Sequence, residues 1–378
     1  MVQHDIDLTV FQMRTWFPGR PMLQHDTYEG VRVVRYAVPQ IPSKPHRFPK
    51  PTVYLNMLLA YHFGKWLIGD LLRETDLLHS VGIFPLGIIA NRWAQSLGKP
   101  HVTQAIGTDL NVGLSQRHDM RIVRCWINGL SGVIGNSQAL VDRFVSMYPQ
   151  IEPVQVIYRG VDLAEFTPDN PPLGALATRP PVRFLFLGGF PRGHSAGDQA
   201  TNAKGGLTVM RAWSAAEDRL IRADASLLIA GVNSDHAAMS AWRQTLQQPE
   251  RVHLMGRLPA PEIPGYMRAA DVVLCPSLAE GLPNVAMEAA ASGCAVAGSD
   301  VGGIPETIIH GQTGLILQPD DLPAWSAALT DLADEPSRVA AMGRAGRQLM
   351  QSRFDSGNYA PALIKFYQRV LINVIRKA

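Results

Sequence analysis

Short apolar runs recur along this chain between longer stretches of helical spacing, which is the sequence form of parallel strands joined by crossover helices. In the first half the runs are Leu8–Met13, Asp76–Ser80, His101–Gln104, Gly132–Ser137 and Val154–Tyr158, with helical stretches at Val53–Leu72, Gly87–Leu97 and Ser137–Tyr148. In the second half they are Arg183–Leu187, Ala225–Ala230, Val252–Met255, Val272–Pro276 and Ala295–Gly298. Each set predicts a sheet of its own. Between them, Phe166 to Pro181 reads FTPDNPPLGALATRPP, with five prolines and no sustained apolar period, as a surface linker does. With 378 residues, 46% of them apolar, the chain is long enough for two buried cores. We therefore expect α/β domains over 1–168 and 181–355, followed by a helical segment, 356–378, whose apolar face has to pack on something.

Composition narrows the function classes. Cys125, Cys275 and Cys294 are scattered, with no spacing that builds a disulfide framework or a metal site, so they read as structural thiols in a reducing, cytoplasmic setting. Met1–Leu8 has no basic region followed by an apolar stretch, and no window reaches the ~18 uninterrupted apolar residues of a membrane span. The net charge is only +3, but from Val31 to Gly69 there is no acid, while Arg32, Arg35, Lys44, Arg47, Lys50 and Lys65 are basic. The favoured reading of that block is a solvated, proline-rich loop (Pro39, Pro42, Pro45, Pro49, Pro51); the alternative is peripheral contact with anionic lipid at the inner face of the membrane. Nucleic acid is a less favoured partner still, and none is expected, because no basic stripe or aromatic–basic repeat occurs elsewhere.

The most informative stretch runs from Asp271 to Glu306, DVVLCPSLAEGLPNVAMEAAASGCAVAGSDVGGIPE. Val272–Cys275 predicts a buried strand and Pro276–Gly281 a turn. A helix should start at Leu282 or Pro283 and stop at Gly293, where a left-handed residue ends it. Cys294–Gly298 predicts the next strand, leading into a second turn at Gly302-Gly303. This arrangement puts the amides of Asn284 and Val285 at the mouth of a strand-to-helix crevice, where a helix start attracts phosphate. Glu280 precedes the helix and Glu288 lies inside it, so both can border that cavity. Two acids would repel a phosphate and are better suited to hydroxyl groups on a ribose and a sugar. The plainer alternative makes Glu280 a complement to the helix dipole and Glu288 a solvated helix residue.

These residues resemble glycosyltransferase family 4, of the GT-B fold: a Glu, seven residues, then a second Glu, here Glu280 and Glu288 within EGLPNVAMEAAASGCAVAGSDVGGIPE. The likeness extends to ETIIHGQTGLIL, to the strand-loop Arg251–Leu258, to IYRGVDLAEFTP and to GTDLN at Gly107–Asn111. It implies two facing Rossmann-like domains with the 356–378 helix crossing back to the first, a UDP- or GDP-sugar donor bound by the second, and a glycan, lipid-linked or small-molecule acceptor chosen by the first. By the same resemblance Glu288 holds the ribose hydroxyls and Glu280 the transferred sugar. The backbone of Gly281, Leu282, Pro283, Asn284 and Val285 lines the distal phosphate or sugar. Lys204 neutralises the diphosphate, Gly188 lets the backbone approach it, and Arg257 and Leu258 flank the base. Transfer with retention needs no cofactor and no metal.

The pattern is also departed from. Gly189 stands where the family has an arginine, leaving Arg192 as the substitute, and Ile106 replaces a basic residue, leaving Asp109 as the nearest polar contact for sugar or acceptor. Arg159 replaces an asparagine. HDIDLTVFQM resembles the family's second strand, so the resemblance implies that the first strand, its glycine-rich turn and the following helix are missing. Two rivals follow: a truncated protein that binds nucleotide sugar without effective catalysis, and a GT-B sugar-nucleotide epimerase. A nicotinamide oxidoreductase is disfavoured, because Gly188-Gly189 lacks the full glycine fingerprint and its acidic ribose partner.

Overall fold

Residues 6–41, 50–173, 182–190 and 202–377 are described by a computed structural model. They divide between a first unit, Met1–Asn136, Leu140–Ile157 and Ala360–Ala378, and a second, Ser137–Ala139 and Tyr158–Tyr359.

In the first unit the elements are β1 (Thr9–Thr15), β2 (Leu23–Tyr28), β3 (Val31–Val38), α1 (Lys50–Arg73), β4 (Leu78–Val81), α2 (Ile88–Leu97), β5 (His101–Ala105), α3 (Arg121–Ile127), β6 (Gly132–Gly135), α4 (Gln138–Met147) and β7 (Val154–Val156). The single sheet expected for this half is two sheets. Strands β4-β5-β6-β7 pair in parallel in chain order, whereas β1 pairs in parallel with β3, which also pairs antiparallel with β2. Reading Val31 onward as a solvated loop is therefore wrong at its start. The β-branched residues of VRVVRYAV favour an extended chain, and Val34, Tyr36 and Val38 are buried in the core shared by both sheets. The loop's middle, 42–49, lies outside the described residues. Helix α1 covers that core with Val53, Met57, Ala60, Ile68 and Leu72, one apolar stripe at helical spacing.

The second unit follows strict alternation: β8 (Arg183–Leu187), α5 (Gly206–Arg222), β9 (Ser226–Ala230), α6 (Ala237–Gln244), β10 (Val252–Leu254), α7 (Ile263–Ala269), β11 (Val272–Cys275), α8 (Asn284–Ala291), β12 (Ala295–Ser299), α9 (Ile304–Thr307), β13 (Gly314–Leu317), α10 (Leu322–Asp334) and α11 (Pro336–Arg353). Its six-stranded sheet has the order β10-β9-β8-β11-β12-β13, all pairs parallel. Continuous apolar runs such as RFLFL suit strands covered on both faces. Phe184, Leu185, Val272 and Val273 have no accessible surface, and burying side chains of this size stabilises the fold by about 1.5–3 kcal/mol each. Beyond β8 the sheet grows in one direction; from β11 it grows in the other.

The last helix, α12 (Tyr359–Lys377), belongs to the first unit from Ala360 onward. Phe366 and Val370 lie so close to Gly132 of β6 that a β-carbon there would come within 2.9 Å of Phe366, and Tyr367 shares a hydrogen bond with His79 Nδ1 of β4. Among the described residues no helix is long and apolar enough to cross a membrane.

Candidate functional site

Where the growth of the sheet reverses, between β8 and β11, the connections leave on opposite faces and a crevice opens at the strands' carboxyl ends. A cleft of about 260 Å³ lies there. Phe186 and Leu187 line it from β8, Leu274 and Cys275 from β11, Ser277 and Glu280 from the following loop, Leu282–Val285 from the start of α8, and Lys204 from the turn before α5. Residues 76 positions apart in sequence are brought together as Lys204 and Glu280.

The loop after β11 is gripped by its neighbours. Leu278 N–H donates to the Ala203 carbonyl at 2.9 Å, and Gly303 N–H donates to that of Gly281 at 2.9 Å. Gly205, at φ +72°, packs so tightly that a β-carbon would lie 1.8 Å from the Pro276 oxygen; at Gly302, φ +54°, one would lie 2.1 Å from the Glu280 oxygen. Both turns need left-handed backbone and close approach at once, which only glycine supplies. Glu280 is thus fixed from its backbone outward.

Helix α8 starts at Asn284, one or two residues later than the spacing predicts, because Pro283 is extended (φ −79°, ψ 104°) and serves as the cap residue. No side chain caps this end, so the first-turn amides offer their partial positive charge to the cleft.

Glu280 carries the cleft's negative charge. Its Oε1 is ion-paired to Lys204 Nζ and accepts a 2.9 Å hydrogen bond from Ser277 Oγ. The Glu280 side chain is 12% exposed and that of Lys204 51%. On the floor, burial and then the Glu280 charge push the Cys275 thiol up to about 12, leaving it neutral.

Glu288 is not among the residues that line this cavity. Glu280 lies in the loop before α8 and Glu288 one turn inside the helix, half-buried and close enough to the segment after β7 to feel the charge of Glu165. Arg347 ties that segment to the end of α8, donating to the carbonyls of Leu163 at 3.1 Å, Phe166 at 2.7 Å and Ala291 at 2.8 Å. Burial, and secondarily the charge of Glu165, push the Glu288 carboxyl up to about 7.

The other expected residues fall as follows. Gly188 N–H continues the β8–β9 ladder to Ala230 at 2.9 Å, and its oxygen lies against Gly231, where a β-carbon would come within 1.9 Å. Arg257 is exposed and Leu258 packs half-buried on the core under β11, neither lining the cleft. Arg192 lies outside the described residues. Asp109, in the first unit, accepts from the amides of Ile83 (2.6 Å), Gly107 (2.8 Å) and Ile106 (3.1 Å), joining two loops at the ends of β4 and β5. Three residues were missed: Ser277, Glu165 and Glu306. Glu306 accepts from Gln138 N–H at 2.9 Å, Ala139 N–H at 3.0 Å and the Tyr158 hydroxyl at 2.8 Å. Ser277 stands three residues before Glu280 in PSLAE, a turn signal that marks a hydroxyl near the carboxylate; nothing local marks the other two.

Comparison with known proteins agrees with this architecture. The family model described as Glycosyltransferase Family 4 matches residues 1–165, and that described as Glycosyl transferases group 1 matches 194–335. The chain is similar to D-inositol 3-phosphate glycosyltransferase of Pseudarthrobacter chlorophenolicus, 31% identical over 58% of this chain and 51% of the relative, and so spans about half of that relative's length. Among solved structures it resembles sucrose-phosphate synthase from Thermosynechococcus elongatus (TM-score 0.71, 18% identity, 98% of this chain and 91% of that one). It also resembles Anabaena HepE in complex with UDP (TM-score 0.65, 17% identity, 89% and 86%). These likenesses establish the GT-B fold.

Proposed function

This chain belongs to the family 4 glycosyltransferases, and on that premise we propose that it moves a sugar, with retention at the anomeric carbon, from a UDP- or GDP-sugar donor to a glycan, lipid-linked or small-molecule acceptor. The observation that carries this reading is the convergence of Lys204, Glu280 and the uncapped start of α8 on one cleft at the sheet's reversal point. HepE, which shares the fold, has been solved with UDP and with UDP-glucose.

The chemistry follows from charge. As the bond to the anomeric carbon breaks, positive charge grows on the sugar and negative charge on the departing diphosphate. Lys204 and the α8 amides of Asn284 and Val285 meet the diphosphate, stabilising the charge that develops there. Glu280 accepts a hydroxyl of the transferred sugar, Glu288 the ribose hydroxyls, and no metal takes part. The first unit selects the acceptor. Its helix α1 exposes Tyr54, Leu55 and Trp66, the last at 73%, beside a half-buried Lys65 whose ammonium meets Ser96, and these residues give the protein peripheral contact with anionic lipid.

Calorimetry tests the donor site. Lys204→Ala should weaken UDP binding about ten- to a hundredfold, as loss of a charge-assisted hydrogen bond does, and leave uridine binding unchanged. Equal losses for both ligands would count against the diphosphate role, and a parent protein that binds neither UDP nor GDP would remove the reading.

A further inference from the structure

Four aliphatic side chains stand exposed together at one end of the first unit's parallel sheet. Val81, 63% exposed, closes β4, Leu86 lies in the turn that follows it, and Ile106 and Val112 stand on the loop after β5. A single exposed aliphatic residue is ordinary, but a group of them at the carboxyl ends of parallel strands, where such sheets take their ligands, is not. Resting on the reading above that the first unit selects the acceptor, we propose that this group and Arg143 beside it bind the part of the acceptor that does not react. That part is an aliphatic chain next to an anionic group, the chemistry of an alkyl phosphate.

Contacts between the two loops hold the four residues together. Val81 pairs with Gln104 across β4 and β5, two residues before Ile106. Asp109 accepts from the amide of Ile83 at 2.6 Å and from that of Ile106 at 3.1 Å, so one carboxylate joins the loop of Val81 and Leu86 to that of Ile106. The ring of Phe84 lies against Gly113, where a β-carbon would come within 3.1 Å of it, and this brings the turn of Leu86 to Val112. Beneath them Ile83, Leu110 and Leu114 have no accessible surface. Those three anchor the loops, and the aliphatic residues between them are left outside. Until something covers them, their apolar surface contributes nothing to stability.

Charge chooses the occupant. Arg143 of α4 donates from Nε and Nη2 to Ser115 Oγ at 3.2 and 3.0 Å, and from Nη2 to the carbonyl of Asn111, the residue before Val112, at 3.5 Å. The guanidinium is thus held beside the apolar group. Its side chain is exposed, and among the described residues no carboxylate pairs with it and Nη1 makes no hydrogen bond. A planar fork with spare donors suits a phosphate or carboxylate. From Gly107 to Arg124 the chain carries Arg117, Arg121 and Arg124 against Asp109 and Asp119, and loop amides already engage Asp109, so the local field favours an anion. A second copy of this surface would set arginine against arginine, and a neutral hydrocarbon would leave Arg143 without a partner.

The test is calorimetry with butyl, hexyl and octyl phosphate as monomers, and with octyl β-D-glucoside as the uncharged comparison. Saturating UDP is present throughout, to keep the alkyl phosphates out of the second unit's cleft. The parent should bind the phosphates with an affinity that rises about two- to fourfold per added methylene. This series needs no variant, so it stands even where a substitution unfolds the chain. Val112→Ser and Ile106→Ser should each reduce the rise, and Arg143→Met should weaken octyl phosphate about tenfold while octyl glucoside binds as to the parent. Thermal unfolding of the three variants should match that of the parent. A parent affinity that does not rise with chain length, or an Arg143→Met loss equal for octyl phosphate and octyl glucoside, would overturn the proposal. So would weaker sedimentation of Val112→Ser with anionic phospholipid vesicles when the parent does not bind monomeric octyl phosphate, because the surface would then be a membrane contact. In each of those outcomes UDP binding by the parent leaves the donor reading standing. A parent that binds neither UDP nor GDP removes the donor reading, and the acceptor role of this surface with it.

Discussion

If Glu288 accepts the ribose hydroxyls, nucleotide-sugar affinity must rise with pH across neutrality, because its carboxyl titrates at about 7. The carboxylate is the stronger acceptor. About one molecule in eleven carries it at pH ~6 and about ten in eleven at pH ~8, so a requirement for the ionised form changes affinity about tenfold between them, or ~1.4 kcal/mol. The linkage runs the other way for the protein alone. Its folded carboxyl titrates above the ordinary value of 4.5, so this group's contribution to stability is fully present below that value and is lost as pH rises through about 7. Calorimetry with UDP-glucose and GDP-mannose suits the measurement, because a sugar diphosphate diester lacks the terminal phosphate that itself titrates near pH ~6. Glu288→Gln should flatten the profile. Glu165→Gln, which removes a neighbouring charge, should move its midpoint to lower pH. If Glu288→Gln retains the slope of the parent, Glu288 does not bind the ribose.

Two further outcomes are expected. Asp109→Ala leaves three loop amides without their acceptor and should destabilise the protein by about 1–3 kcal/mol while UDP affinity stays unchanged; a loss of UDP binding in a variant of parental thermal stability would instead give Asp109 a direct role in the site. Trp66→Ala should lower binding to vesicles containing anionic phospholipid several-fold in a sedimentation assay; unchanged sedimentation would remove α1 from the membrane contact.

What the sequence determined is local. Apolar runs such as Arg183–Leu187, Val272–Cys275 and Ala295–Ser299 are strands, because three to five consecutive buried residues suit an extended chain covered on both faces of its sheet. The helix of EGLPNVAMEAAASG ends at a left-handed Gly293, because the chain there has no other residue suited to that turn. Its start was less legible, since proline fits a cap or a first helical position equally well. Val31–Val38 was misread because its neighbouring prolines and basic residues outweighed an alternation that only a partner strand makes meaningful.

The tertiary structure decided everything that depends on which strands are neighbours. The placing of β8 beside β11 sets Lys204 against Glu280 across 76 residues, and no local propensity encodes that pair. It also brought Glu288 within reach of the charge of Glu165, on a segment held to α8 by Arg347. Charge and burial act through distance in space, so the residue types were visible along the chain, but their pairing and the altered acidity of Glu288 arise only when the sheet reverses and the loops close over its ends.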